Sequence, residues 1–220
     1  MGAITRLTAV NEMLLAAGEQ LVADLTDGSG ISTGIAEHIL DQVILDVQLR
    51  GIASNIFSRK YKPDATTGKI IIPNNALSAM LITECTNDDG NIQIATIKGT
   101  GTNAVLWNIT DQTDVWDKNK EYEVELTIKL EWEEIDTPIQ RQITAAAKRR
   151  YQMSIQGDGD ADRLLREEEM FYRTKGRGQD ARRKSRNIYS SLDTMLKRAW
   201  NRTMSTNDPS RFRFWKGYQE

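Results

Sequence analysis

Four groups of residues have types and spacing that chemistry could use. Asp158, Asp160 and Asp162, followed by Glu169, stand at positions 1, 3, 5 and 12 of a calcium loop. Arg163 occupies the place where such a loop needs glycine for its sharp turn, and the residues beyond it are helix formers. The aspartates therefore read as helix-start residues that satisfy orphan N–H groups and meet the positive end of the helix dipole. Gly99-Thr100-Gly101-Thr102 has the glycines of a phosphate loop but neither its Gly-Lys-Ser/Thr ending nor a following helix, which predicts a turn between strands. His38 is the only histidine. Without a second histidine to share a metal, or a serine or cysteine at a nucleophile elbow, it reads as structural or exposed. No catalytic set, metal or cofactor is expected, and the chain does not read as an enzyme. The fourth group is basic and aromatic: Arg177, Arg182, Arg183 and Lys184, then Arg211-Phe212-Arg213-Phe214-Trp215-Lys216-Gly217-Tyr218. Interleaved cations and rings suit stacking on nucleic acid, and equally suit anchoring a protein interface.

The elements that must carry these residues turn on the stretch 122–151. Tyr122, Val124, Leu126, Ile128, Leu130 and Trp132 alternate with Glu123, Glu125, Thr127, Lys129 and Glu131, which predicts a half-buried strand over 122–132. Thr137 as N-cap, Pro138 at N1 and Gln140 at N3 then predict a capping box opening a helix, with Ile139, Ile143, Ala146 and Ala147 down one face. Upstream, a short helix is expected from about Thr8 to Ala17, ended by Gly18. A wider-faced one is expected from Ser32 or Thr33 to Gly51, with Ile35, Ile39, Val43 and Val47 at four-residue steps and Ala36, Leu40 and Ile44 beside them. So broad an apolar arc predicts burial between other elements. Lys69–Ile72, Met80–Cys85, Ile92–Ile97 and Val105–Ile109 read as further strands, separated by turn residues. Gly157-Asp158-Gly159-Asp160 breaks the chain before a fourth helix containing Leu164, Leu165, Glu168, Phe171 and Tyr172, which Gly176 and Gly178 end or loosen. Residues 173–186 then read as a solvated loop, an extended arm or a contact surface. A short amphipathic helix follows, capped by Ser191 and carrying Leu192, Met195, Leu196, Ala199 and Trp200. The expected class is α+β: a helical bundle of about four helices with an inserted small antiparallel β region and an extended C-terminal arm. Its expected parts are 1–56, a first helical half; 57–136, the β region; 137–190, a second helical half; and 191–220, the short helix and arm.

The chain has 220 residues and a formal charge of −2, distributed unevenly. Residues 1–136 hold 10 Lys and Arg against 21 Asp and Glu, a net of −11, whereas residues 137–220 hold 19 against 10, a net of +9. Such asymmetry suits a subunit that touches like-made neighbours, or nucleic acid, through one end, and two separately solvated faces would carry it too. Cys85 is the single cysteine, which rules out an internal disulfide framework and a cysteine-based zinc site and fits a cytosolic or virion-like setting. No apolar run approaches the roughly 18–20 residues that span a bilayer. The first residues lack the build of a secretory signal, so neither a membrane nor the usual export route is expected.

Several motifs, in this order, resemble the tail tubular protein A family of short-tailed bacteriophages. Leu7-Thr8-Ala9-Val10-Asn11-Glu12-Met13-Leu14, Ala17-Gly18-Glu19, residues 22–25 and a long helix ending Gln48-Leu49-Arg50-Gly51 are similar to its N-terminal half. Ile70-Ile71-Ile72-Pro73-Asn74 resembles its strand exit, Glu131-Trp132-Glu133-Glu134-Ile135-Asp136-Thr137-Pro138 its acidic approach to a proline-started helix, and Glu167-Glu168-Glu169 its acidic next helix. The resemblance covers about residues 7–175. The chain departs from the pattern at Ile52-Ala53-Ser54-Asn55, where the family often has a tryptophan, and in a longer, more basic stretch beyond Gly176.

The resemblance implies a structural virion protein, made in the host cytoplasm and placed at the head-to-tail junction. It implies a ring of copies, expected to be twelve, that joins the portal protein to a nozzle similar to tail tubular protein B, with tail fibre protein as a further partner. DNA would pass through its channel during ejection without sequence-specific binding. On that basis residues 176–220 are expected to grip the portal through Phe212, Phe214, Trp215 and Tyr218, with Arg211 and Arg213 pairing to carboxylates. Loops 86–91 and 98–104, with Asn87, Asp88, Asp89, Lys98, Thr100 and Thr102, are expected to face the nozzle. The alternative is a nucleic-acid-binding module that uses the basic C-terminal third; a hydrolase with a metal on Asp158, Asp160 and Asp162 is a further rival.

Overall fold

The computed structural model describes residues 4–26, 30–82, 92–99 and 101–183. The chain divides into two units, residues 1–180 and 181–220, and almost everything described belongs to the first. Among the described residues four helices and five strands follow one another: α1 (Arg6–Ala16), α2 (Ile31–Leu49), β1 (Ile56–Tyr61), β2 (Ala76–Leu81), β3 (Ala95–Lys98), β4 (Val105–Asn108), β5 (Tyr122–Ile128), α3 (Thr137–Ile155) and α4 (Gly159–Arg183). The class is α+β, as the change of period at residue 57 predicts.

Two separate apolar clusters organise this unit. The first is helical: Ala9, Val10, Met13 and Leu14 of α1, the inner face of α2, and Ile139, Ile143, Ala147 and Tyr151 of α3 bury one another. The second lies in the β region and gathers Ile70, Ile72, Leu106, Trp116, Tyr122, Val124 and Leu126. There β5 runs centrally between β1 and β2, antiparallel to both, while β3 and β4 form a separate two-stranded sheet. The Trp116 indole N–H donates to the Leu106 carbonyl at 2.9 Å, and its ring meets Tyr122 edge-on, with centroids 4.8 Å apart. The Tyr122 hydroxyl accepts from the Asp117 N–H at 3.2 Å, so the polar edge of each ring has a partner.

The faultless alternation of residues 122–132 serves both clusters, which is why it extends beyond the strand. β5 ends at Ile128, four residues before the expected end at Trp132. Tyr122, Val124 and Leu126 enter the β cluster with Ile128 packed against it, but Leu130 packs on the helical cluster and Trp132, now in a 3₁₀ turn (Trp132–Glu134), is buried there. Other boundaries shift also. β1 was absent from the expected strands because only its end residues are partly covered, so no apolar alternation marks it. The expected strand at Met80–Cys85 is β2, displaced to Ala76–Leu81. Residues 69–72 contribute buried Ile70 and Ile72, but make only an isolated bridge from Ile71 to Val105.

The helices differ from expectation mostly at their ends. α1 begins at Arg6 with Thr5 as N-cap, whose side chain accepts from the Thr8 N–H. α2 begins at Ile31 and stops where Gly51 takes φ +75, a left-handed conformation that side-chain-bearing residues adopt reluctantly. Asp136, not Thr137, is the N-cap of α3, so Pro138 falls one position further in and no capping box forms there. The capping box sits instead on the preceding turn, where Glu131 and Glu134 exchange side-chain and backbone bonds. Gln140, released from that role, is buried: its amide donates to the Trp132 carbonyl at 2.8 Å and its oxygen accepts from the Ile4 N–H.

Gly176 and Gly178 do not end α4, which continues to Arg183 and makes residues 173–183 helical rather than a loop or arm. Gly176 is buried, and a Cβ placed on it would lie 2.6 Å from Gln142 Oε1 and 3.3 Å from Ile139 Cδ1. The glycine permits close approach of α4 to α3. The amphipathic segment around residues 191–200 lies outside the described residues.

Candidate functional site

The chemistry-bearing residues resolve into structural roles. Asp158 Oδ1 accepts from the Asp160 N–H at 2.9 Å, the capping role expected of it. Asp162 and Glu169 converge on one cation from α3: Arg149 Nε donates to Asp162 Oδ1 at 2.6 Å and its Nη1 to Glu169 Oε2 at 3.1 Å, while Lys148 pairs with Glu168 at 2.5 Å. Hydrogen bonding from Arg149 holds the Asp162 carboxyl below its usual range, and the same bonds raise the guanidinium pKa. α4 therefore docks on α3 through charge and Gly176 more than through apolar surface. Among the described residues no group of three or more His, Cys, Asp or Glu could hold a metal. No described helix is long and apolar enough to cross a membrane.

Between β3 and β4 the described chain makes a 3₁₀ turn over Gly101–Asn103. At its base, exposed Lys98 sets its ammonium 3.3 Å from the centroid of Trp107. Of the expected nozzle residues, Lys98 and the backbone of Thr102 are thus placed beside one hairpin, whereas Asn87, Asp88, Asp89 and Thr100 lie outside the described residues. So do all the expected portal anchors, Arg211, Phe212, Arg213, Phe214, Trp215 and Tyr218. His38 is on the outer side of α2, where Gln42 Nε2 approaches its Nε2 at 3.0 Å, an exposed polar pair.

Two buried polar devices join the parts of the unit. Gln48 of α2, fully buried, donates from Nε2 to the Leu130 carbonyl at 2.9 Å and accepts the Leu130 N–H at 2.7 Å, so a side-chain amide imitates a neighbouring strand. Asn55 adds a bond from Nδ2 to the Gln48 carbonyl, and its own carbonyl accepts from the Ile128 N–H. In the helical core the Tyr151 hydroxyl donates to Glu19 Oε2 at 2.5 Å, and Ser32 Oγ donates to the other oxygen of Glu19. Burial, followed by the Glu19 carboxylate, pushes the Tyr151 hydroxyl up to about 12.

The least expected surfaces are two apolar helix faces turned outward. On α2, positions 31, 35, 38, 42, 45 and 49 recur in alternating steps of four and three and all point away from the core. Ile31, Ile35, Leu45 and Leu49 are exposed there, Ile31 by 86% and Leu49 by 49%, on either side of the His38–Gln42 pair. The buried stripe is instead Ala36, Leu40, Val43, Ile44 and Val47, so the helix is covered on one side rather than enclosed as expected. On α4, Leu164 and Phe171 are exposed on one side, where Lys175 holds its ammonium 4.2 Å from the Phe171 centroid, and Met170 is exposed on another. Surface helices ordinarily turn polar residues outward. Residue spacing alone signalled the α2 face, but an apolar residue on nearly every side hid which face was which.

A family model described as tail tubular protein matches residues 7–186. The chain belongs to the tail tubular protein family. As a tail tubular protein it is a structural component of a phage tail, located in the virion. The match takes in all the described residues except 4–6, and stops short of the aromatic–cationic ending. No curated protein matches this tail tubular protein.

Proposed function

We propose that the protein is the adaptor subunit of a short-tailed phage: copies assemble into a ring between portal and nozzle, around the channel through which DNA leaves the head. The observation that carries this reading is the family match across the helical and β body. The uneven charge supports it, since an acidic first part and a basic second part complement each other between successive copies. On this reading the ring has twelve copies, the β3–β4 connection with Lys98, Thr100 and Thr102 and the loop with Asn87, Asp88 and Asp89 face the nozzle, and residues beyond α4 grip the portal. Because α4 extends to Arg183, that grip begins later than residue 176 and centres on Phe212, Phe214 and Trp215.

Sedimentation velocity of the purified chain, alone and mixed with the portal ring from the same genome, tests the proposal. A stoichiometric complex with the portal is expected. Absence of association at every salt concentration, together with DNA binding that weakens steeply with salt, would overturn it in favour of the nucleic-acid-binding alternative.

A further inference from the structure

We propose that the outward stripe of α2 is the seat of the chain's own segment 192–203, which packs across it as an antiparallel helix. The proposal concerns a single chain and stands apart from the ring reading. Ile31, Ile35, Leu45 and Leu49 are exposed along one line of α2, about 27 Å long at 1.5 Å per residue. The segment lies outside the described residues, and its sequence suits the seat: Leu192, Met195, Leu196, Ala199 and Trp200 recur at helical spacing and make an apolar face that needs a partner. Covalent reach selects this occupant. The Asp180 carboxylate accepts the Ala53 N–H, and Arg177 and Asp180 line a cleft with Val47, Arg50 and Gly51. α4 ends at Arg183, one turn beyond a residue fixed beside the C-terminal end of α2. Residues 184–191 span up to about 26–29 Å when extended, which brings Leu192 onto the stripe.

Direction follows from where charges fall around each helix. At about 100° per residue, Asp41 and Glu37 lie on one flank of the α2 stripe, and Asp46 and Arg50 on the other. On the first flank two carboxylates share one cation, Arg6, whereas Asp46 is matched by Arg150. By the same rotation, Arg198 and Arg202 share one flank of the segment's apolar face and Asp193 lies on the other. An antiparallel helix brings Arg198 and Arg202 over Asp41 and Glu37, and Asp193 toward Arg50 and Arg150. A parallel one would set Arg198 and Arg202 on the flank of Arg50 and Arg150, cation beside cation. With Leu192 beside Leu45, the antiparallel order sets Met195 at Gln42 and Ala199 at His38. The small Ala199 thus meets the polar pair of the stripe. Met195, an adaptable gap-filler, faces the groove of about 420 Å³ that Asp41, Leu45 and Trp132 help to line. Residues 204–220 are left for the portal.

Hydrogen exchange of the full chain, followed over a dilution series, tests the seat. Amides of residues 192–203 should exchange at least tenfold more slowly than in an unstructured peptide of the same sequence, and equally so at every dilution. In the double variant Ile35→Lys and Leu45→Lys, both at exposed positions, that protection should be lost while α1 and α3 exchange as in the wild type. No protection in the wild type, or undiminished protection in the variant, would overturn the proposal. Protection that fades on dilution would assign the seat to a second copy's segment and overturn it likewise. Disulfide trapping in a Cys85→Ser background reads the direction. Leu45→Cys with Leu192→Cys should close within one chain on mild oxidation, whereas Ile35→Cys with Leu192→Cys, offset by about 15 Å along the helix, should not. Preferential closure of the second pair would mean a parallel segment and overturn the antiparallel seat. Closure of neither pair, or only between chains, would remove the segment from α2.

Discussion

Gln48 shows what a single polar side chain can cost when its partners are backbone. Replacing it by leucine removes both bonds to Leu130 and strands an N–H and a carbonyl in a part-buried setting. Each unsatisfied group costs about 1–3 kcal/mol, so Gln48→Leu should lose about 2–4 kcal/mol in urea unfolding. Tyr151→Phe should cost about 1–2 kcal/mol by taking the hydroxyl from Glu19. The same hydroxyl gives an alkaline signature. Its folded pKa of about 12 lies above its ordinary value, so its contribution is complete below about pH 10 and is lost as pH climbs toward the folded value. Stability measured across that range should fall less steeply in Tyr151→Phe. Neither residue was legible in the sequence as a fastening: Gln48 registered only within a family motif and Tyr151 as the end of a helix, since the partners lie 82 and 132 positions away.

At the scale of elements, what was legible depended on whether one core or two read the pattern. α1, α2 and α3 follow from apolar spacing and from Gly18, Gly51 and Pro138, because each answers to the helical cluster alone. Residues 122–132 answer to both clusters, and an alternation that crosses from one to the other cannot reveal where the strand stops. α4 was cut short in the reading because glycine disfavours helix by about 1 kcal/mol, a local cost that docking on Gln142 and Ile139 overrides at Gly176. Gly178 has open space around it, so Gly178→Ala should stabilise the protein by up to about 1 kcal/mol, whereas Gly176→Leu should destabilise it. Thr137→Ala should change stability by less than about 0.5 kcal/mol, against about 1 for a true cap; a larger loss would restore the capping box. The docking of α4 also has an acid limit. Asp162 is held below its usual range by Arg149, so its contribution is complete above about pH 4 and is lost as pH falls through the lowered value. Hydrogen exchange in α4 should therefore rise on acidification in the wild type, and be already raised near neutrality in Arg149→Met.

For the molecule as a whole, the candidate assembly surfaces were legible only in part. Aromatic–cationic composition singled out residues 211–218, and loop polarity singled out residues around Lys98, but composition could not separate the outward stripe of α2 from its inward one. Removing residues 207–220 should leave circular dichroism and the urea midpoint of the body unchanged while abolishing association with the portal. Normal joining by the truncated chain would remove the portal role from Phe212, Phe214 and Trp215. The amide of Gln48 bears on a different property, the response to force. Its two bonds to Leu130 lie side by side between a helix and the exit of the central strand. A pull along β5 must load both at once, as in a shear joint, instead of opening them one after the other like a zipper. In single-molecule stretching the β half should then part from the helices at a higher rupture force in the wild type than in Gln48→Leu.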